Sequence, residues 1–244
     1  MGDYMGMIYI VLMPLFGLLF TAGVIYLIVY LVRNKEQKIN LGTNTLLHIY
    51  LHIMSFATLA IAVIGATIFI NASASYKFGI PFSYQIYEYS EEPVIDERTG
   101  EIDITSNKTE LVCYEGELTN IEGKDVCFDT TKQRKGIVNG ATLTISMLIL
   151  FAIHRIAILF LEKKGTIMWL KKAYNFISLI LYSTLSIVAL PIATYLLINY
   201  IYFKPENLDR IETPGGAIAL ALVSIPLWIV FLISTLRLRE KKEK

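Results

Sequence analysis

The sequence predicts an all-α membrane protein with five transmembrane helices, the N-terminus outside and the C-terminus inside, and a small β-rich external domain between helices two and three. Three observations lead to this prediction. Of the 244 residues, 55% are hydrophobic, and the mean hydropathy is +0.54. Long apolar runs alternate with blocks of charge, and the basic residues concentrate in every second block. The net charge is only +1, so nucleic-acid binding is not expected.

Five apolar stretches are long enough to cross the hydrocarbon core, which takes about 20 residues in a helix. Backbone polar groups must be satisfied within such a segment, so each stretch is predicted to be helical. The first stretch does not resemble a cleaved signal peptide, because no Lys or Arg precedes it and its apolar run is too long. The predicted spans one to five cover residues 8–32, 45–70, 138–161, 174–201 and 215–236.

The spans divide the chain into five regions. These are a first helix with a cytoplasmic loop, a second helix, an external acidic domain, a third helix with a cytoplasmic loop, and helices four and five with a basic cytoplasmic tail. Their bounds are 1–44, 45–71, 72–137, 138–172 and 173–244.

The orientation follows from the basic residues in the short connecting segments. The segments after spans one, three and five hold three, four and five Lys or Arg residues, whereas the N-terminal segment and the loop 202–214 hold two together. Because basic residues favour the cytoplasmic side, Lys38 and Lys242 are predicted to be cytoplasmic and Thr119 external. The basic residues at 132–135, at the end of the external region, oppose this rule.

The external region 72–137 contains both cysteines of the chain. Residues 94–96 and 101–104 are predicted to form a β-hairpin around a turn that ends in a glycine, and 111–114 and 126–128 are predicted to be two further short strands. Because an external location is oxidising, a Cys113–Cys127 disulfide is expected. The alternative is two unpaired thiols, and a metal site is disfavoured because no histidine accompanies them.

Two glycosylation sequons occur, at Asn71 and Asn107. Asn107 falls in the external region and is a possible glycosylation site, whereas Asn71 abuts the membrane and is expected to be out of reach. The acidic residues of this region either attract cations or a basic partner, or form a solvated surface.

All three histidines, His48, His52 and His154, fall near the cytoplasmic ends of spans two and three. They are candidates for a metal or haem site, because imidazoles on adjacent helices can share a ligand. The competing interpretation places His48 at the membrane interface, gives His52 an interhelical hydrogen bond and lets Arg155 extend towards the interface. We predict no bound metal or haem, and a hydrogen-bonded His52. Polar residues of span four are interpreted as packing groups rather than a permeation path.

Spans two and three and spans four and five look like two copies of one unit. The second helix of each unit begins with Gly-Ala, at 140–141 and 216–217, and each ends in a charged tail. At residues 174–188 and 217–239 the chain resembles an uncharacterised prokaryotic family of paired-helix membrane domains. The resemblance implies a prokaryotic membrane protein, and it supplies no activity and no catalytic residue.

Enzyme motifs such as a phosphate-binding glycine loop, HExxH or GxSxG do not occur in the sequence, so no catalytic residue and no cofactor are expected. The leading hypothesis is a non-catalytic accessory or scaffold subunit that presents a disulfide-closed external domain. Its expected partners are the lipid bilayer and a second protein or a second copy of this chain. The alternatives are a channel or transporter built on the paired-helix repeat, and a membrane haem or metal protein.

Overall fold

The computed structural model describes residues 43–86, 90–93, 109–113, 116–121, 124–163, 167–202 and 212–240. The chain divides into two compact units, Met1–Leu47 and His48–Lys244, and the first of them is described only from residue 43. Predicted span one, the predicted hairpin at 94–104 and Asn107 all lie outside the described residues.

Four long helices dominate the described chain: α1 (Thr43–Phe78), α3 (Thr130–Glu162), α4 (Met168–Tyr202) and α5 (Gly215–Glu240). Each is long and apolar enough to cross a membrane, and they correspond to predicted spans two to five. A one-turn helix, α2 (Ile80–Ser83), follows α1. The four long helices are compatible with a multi-pass membrane protein.

The helices extend beyond the predicted spans. α1 continues to Phe78 and α3 begins at Thr130, so the region between them is shorter than the predicted 72–137. A helix of 36 residues measures roughly 54 Å at 1.5 Å per residue, against roughly 30 Å of hydrocarbon. α1 therefore has polar ends that hydropathy alone does not assign to a helix.

Helices α1 and α3 approach each other at glycines. A Cβ atom on Gly140 would lie 2.5 Å from the backbone nitrogen of Phe69, and one on Gly65 would lie 2.8 Å from that of Thr144. Gly136, one turn before Gly140, also has no room for a side chain. This is the small-residue spacing that lets membrane helices pack backbone to backbone. Because residue numbers rise on α1 as they fall on α3, the two helices are antiparallel neighbours.

Aromatic and aliphatic side chains from α1, α4 and α5 form the largest buried cluster. Its fully buried members are Leu59, Val63, Tyr174, Tyr182 and Phe231. The rings of Tyr182 and Phe231 are stacked, with centroids 5.5 Å apart. The cluster joins α4 and α5 to α1, so the four long helices form one bundle.

Hydroxyl and amide groups pair α4 with α5 along the same interface. Ser186 Oγ lies 3.2 Å from Ser224 Oγ, and the Ser234 hydroxyl donates to Asn175 Oδ1 at 3.3 Å. Because residue numbers rise on α4 as they fall on α5, the two helices are antiparallel. Both helices are continuous across their internal prolines, Pro191 and Pro226.

Two small antiparallel sheets lie between α2 and α3. Strand β1 (Ser90–Pro93) pairs with β2 (Thr109–Val112), and β3 (Glu117–Ile121) pairs with β4 (Lys124–Phe128). The predicted strands at 111–114 and 126–128 overlap β2 and β4. The predicted disulfide between Cys113 and Cys127 is confirmed, and it joins the end of β2 to β4 with a Cα–Cα distance of 5.4 Å.

Candidate functional site

The β3–β4 hairpin is attached to the helical bundle through aromatic packing. Val126, Cys127 and Phe128 at the end of β4 are buried, and the ring of Phe128 lies 5.7 Å from that of Tyr84. Gly136 of α3 leaves room for the hydroxyl of Tyr84. Burial, with a smaller contribution from Tyr76, raises the pKa of Tyr84 above its ordinary value. The hairpin is therefore packed on the end of the bundle.

A helix cap joins the hairpin directly to α3. The Asp129 carboxylate accepts hydrogen bonds from the backbone amide of Thr131, at 2.8 Å, and from the Thr131 hydroxyl. These two hydrogen bonds, the hydroxyl first, hold the pKa of Asp129 below its ordinary value. Since Asp129 follows the last residue of β4, the strand continues into the helix with no linker.

The hairpin exposes both apolar and polar side chains. Leu118 on β3 is 46% exposed although it is a large apolar residue, and its backbone pairs with Cys127. Asn120 Nδ2 donates to Asp125 Oδ1 at 2.8 Å across the strands. The disulfide-held hairpin therefore exposes one apolar side chain, Leu118, beside polar side chains.

Two of the histidines, His48 and His52, lie close together near the other end of α1. The Nδ1–H of His52 donates to the backbone carbonyl of His48 at 2.8 Å, and the His52 ring lies edge-on to Tyr174 of α4. The predicted interhelical hydrogen bond is therefore a bond within α1, because the carbonyl four residues back is within reach of the imidazole. His48 is only 1% exposed, and its position at the membrane interface stays a prediction.

His154 has different neighbours from His52. Its Nδ1–H donates to the Leu150 carbonyl of its own helix at 2.6 Å, and its ring lies beside Tyr50. Within the described chain, His, Cys, Asp and Glu do not form any group of three or more that is placed to hold a metal ion. The structure thus brings His48 and His52 together and leaves His154 against another face of α1.

The hydroxyl groups of span four lie in different environments. Ser186 and Thr194 donate to the carbonyls of Tyr182 and Leu190, one turn back on α4. Ser178 is fully buried among the helices. The Ser186 and Thr194 hydroxyls thus bond within their own helix, whereas Ser178 Oγ has no hydrogen-bond partner among the described residues.

The sequon at Asn71 lies inside α1. The Asn71 side-chain amide donates to the backbone carbonyl of Ser83 at 3.4 Å, and the Ser83 hydroxyl donates to the backbone carbonyl of Asn71 at 2.7 Å. A helical asparagine in such a pair is a poor acceptor for a glycan, which supports the expectation that Asn71 is not modified.

Fold and site together define a class: a helical bundle with four helices of membrane-spanning length and a disulfide-closed hairpin packed on one end. Comparison with protein-family models, with curated proteins and with solved structures gives no match in any of the three. The resemblance to the paired-helix family therefore gains no support from these comparisons.

Sequence reasoning missed several residues that position the hairpin. Tyr84, Phe128 and Asp129 were not singled out, although an aspartate before two threonines and a helical run is a recognisable N-cap signal. The spacing of Gly136 and Gly140, four residues apart, also predicts close packing against another helix. The contact of Tyr84 with Phe128 had no signal in the sequence, because the two residues are far apart along the chain.

Proposed function

We propose that this protein is a non-catalytic accessory or scaffold subunit of a membrane assembly, which presents the β3–β4 hairpin on the external side to a protein partner. In this proposal the chain crosses the membrane five times, with the N-terminus outside and the C-terminal tail in the cytoplasm. The charge distribution supports this orientation.

The observation that carries the proposal is the way in which the hairpin is held. The Cys113–Cys127 disulfide, the Phe128–Tyr84 ring contact and the Asp129 cap restrain it at three points. A connecting loop with no partner needs none of these restraints. Binding surfaces gain affinity when they are ordered before the partner arrives, and Leu118 is exposed on this ordered element.

Affinity isolation of the full-length chain in mild detergent tests the proposal. A tagged wild-type chain is expected to retain a stoichiometric partner, and L118E is expected to retain at least roughly fivefold less, because a charge would be desolvated in an apolar contact. L118M keeps an apolar side chain of similar size and serves as the matched control. Co-expression with a second tag on the same chain identifies a partner that is another copy.

Two results would refute the scaffold role. One is a wild-type chain that is isolated alone and monodisperse from native membranes. The other is a partner that is retained equally by wild type, L118M and L118E, since that partner would bind elsewhere.

A further inference from the structure

Arg155 places a permanent charge inside predicted span three. It precedes the end of α3 at Glu162 by seven residues, or roughly 10 Å at 1.5 Å per residue. Its guanidinium lies over the Tyr174 ring, 5.5 Å from the centroid. Among the described residues, the guanidinium has this ring contact and forms no hydrogen bond or ion pair. Guanidinium carries five N–H donors and does not lose its charge, so at this depth it requires an acceptor.

Nearby groups do not supply that acceptor. The Glu162 carboxylate is engaged by Lys171, whose Nζ lies 3.0 and 3.1 Å from its two oxygens. His52 directs its Nδ1–H to the His48 carbonyl. His48 is 1% exposed, and its Nε2 has no hydrogen-bond partner among the described residues. Among the described residues, Arg155 is thus left without an anion, and His48 Nε2 is left without a hydrogen-bond partner.

The position of the cluster matches the boundary between hydrocarbon and headgroups. α4 begins at Met168, so Tyr174 lies less than two turns after the first residue of the helix. Lys171 and Lys172 lie between Met168 and Tyr174. Basic residues at that depth are typical of the headgroup boundary. On α3, Leu159 lies one turn after Arg155 on the same face of the helix, and it is 55% exposed. A ligand for this place needs an anionic group beside apolar chains.

We infer that Arg155 and Tyr174 form a binding site for the phosphate of an anionic phospholipid, in the leaflet next to the C-terminal end of α3. The guanidinium fork donates two parallel N–H bonds to phosphate oxygens. The Tyr174 ring packs against the guanidinium group, and the acyl chains lie along the exposed Leu159 face of α3. This site is independent of the scaffold role proposed for the hairpin, and it requires only that the helices cross a bilayer.

Native mass spectrometry of the full-length protein tests the inference, with phosphatidylglycerol and phosphatidylcholine of identical acyl chains as probes. Wild type is expected to bind phosphatidylglycerol at least roughly tenfold more tightly, because the net negative charge favours a basic pocket between helices. R155Q is expected to reduce that preference to less than about twofold. R237Q removes an exposed arginine of α5 and is expected to keep the wild-type preference.

A second variant and a competition complete the test. R155K keeps the charge and loses the fork, so it is expected to fall between wild type and R155Q, and it replaces R155Q if that variant does not fold. Inorganic phosphate at roughly 10 mM is expected to leave the bound lipid in place, because a lipid site also uses the acyl chains. Equal binding of both lipids by wild type, an unchanged preference in R155Q and R155K, or displacement by phosphate alone would each overturn the inference.

Discussion

Seven hydroxyl groups in the long helices donate to the backbone of their own helix. In each case a Thr or Ser at position i donates to the carbonyl at i−4, as it does at Thr58, Thr67, Ser73, Thr144, Ser186, Thr194 and Thr235. Lipid offers no competing partner, so these bonds persist whether the residue faces protein or hydrocarbon. A polar residue in these spans is therefore weak support for a permeation path, and the decisive residues are those that contact another helix.

Gly140 is such a residue. G140A is expected to destabilise the bundle by about 1–3 kcal/mol, because the added Cβ would lie 2.5 Å from the Phe69 backbone nitrogen and the helices would have to separate. Unfolding in a denaturing-detergent titration measures the change. G216A is the matched control, since a Cβ there has nothing within 4 Å, and it is expected to be neutral or slightly stabilising. Equal stability of the two variants would contradict the glycine contact.

Asp129 gives a pH-dependent prediction. Its pKa is lowered in the folded protein by the two Thr131 hydrogen bonds, so its contribution to stability is fully present above the ordinary value of 3.8. The contribution is lost as the pH falls through the lower, folded-state pKa. D129A is expected to lower Tm by about 2–4 °C at pH 7, and the difference from wild type is expected to shrink below pH 3.8. A Tm difference that does not depend on pH would show that the carboxylate is not the capping group.

At the scale of elements, the hairpin depends on a cross-link rather than on its length. Two strands of five residues are marginal in water on their own. Gly116 adopts a φ of +89° just before β3, and a side chain there would collide with the Phe128 backbone. This turn allows the chain after Cys113 to fold back along β4, so the disulfide and the glycine act together.

Removal of the disulfide is expected to loosen the hairpin and leave the helices intact. The cysteines are 14 residues apart, and closing a loop of that size contributes about 3 kcal/mol on the chain-entropy model. In the double variant C113S/C127S, limited proteolysis between 109 and 128 is therefore expected to accelerate at least roughly tenfold. Helical circular dichroism serves as the control and is expected to change little. An unchanged cleavage rate would show that packing on Tyr84 alone holds the hairpin.

At the scale of the whole molecule, the five-span prediction assigns each connecting segment to one side of the membrane. Single cysteines placed at 38, 119 and 242 in the C113S/C127S background report that side. An impermeant maleimide applied to intact cells is expected to modify only the cysteine at 119, because the basic segments favour the cytoplasm. Modification at 242 in unbroken cells would contradict the five-span topology, whereas all three sites are expected to react in permeabilised cells.

The sequence by itself determined the positions of the four described apolar helices and that the two cysteines pair. Both follow from local chemistry: a span needs about 20 apolar residues, and two cysteines in one short oxidised segment have few alternatives. The predicted spans 45–70 and 138–161 are shorter than α1 and α3, because the polar residues that extend a helix past the hydrocarbon do not raise its hydropathy.

Only the tertiary structure decided which helix faces meet. In lipid the outer surface of a helix is as apolar as its packed surface, so periodicity does not mark the buried side. The contact of Gly140 with Phe69, the separate neighbours of His52 and His154 and the packing of Phe128 on Tyr84 all depend on how each helix is rotated about its axis. That rotation results from contacts between residues distant in the chain, which no local pattern of the sequence records.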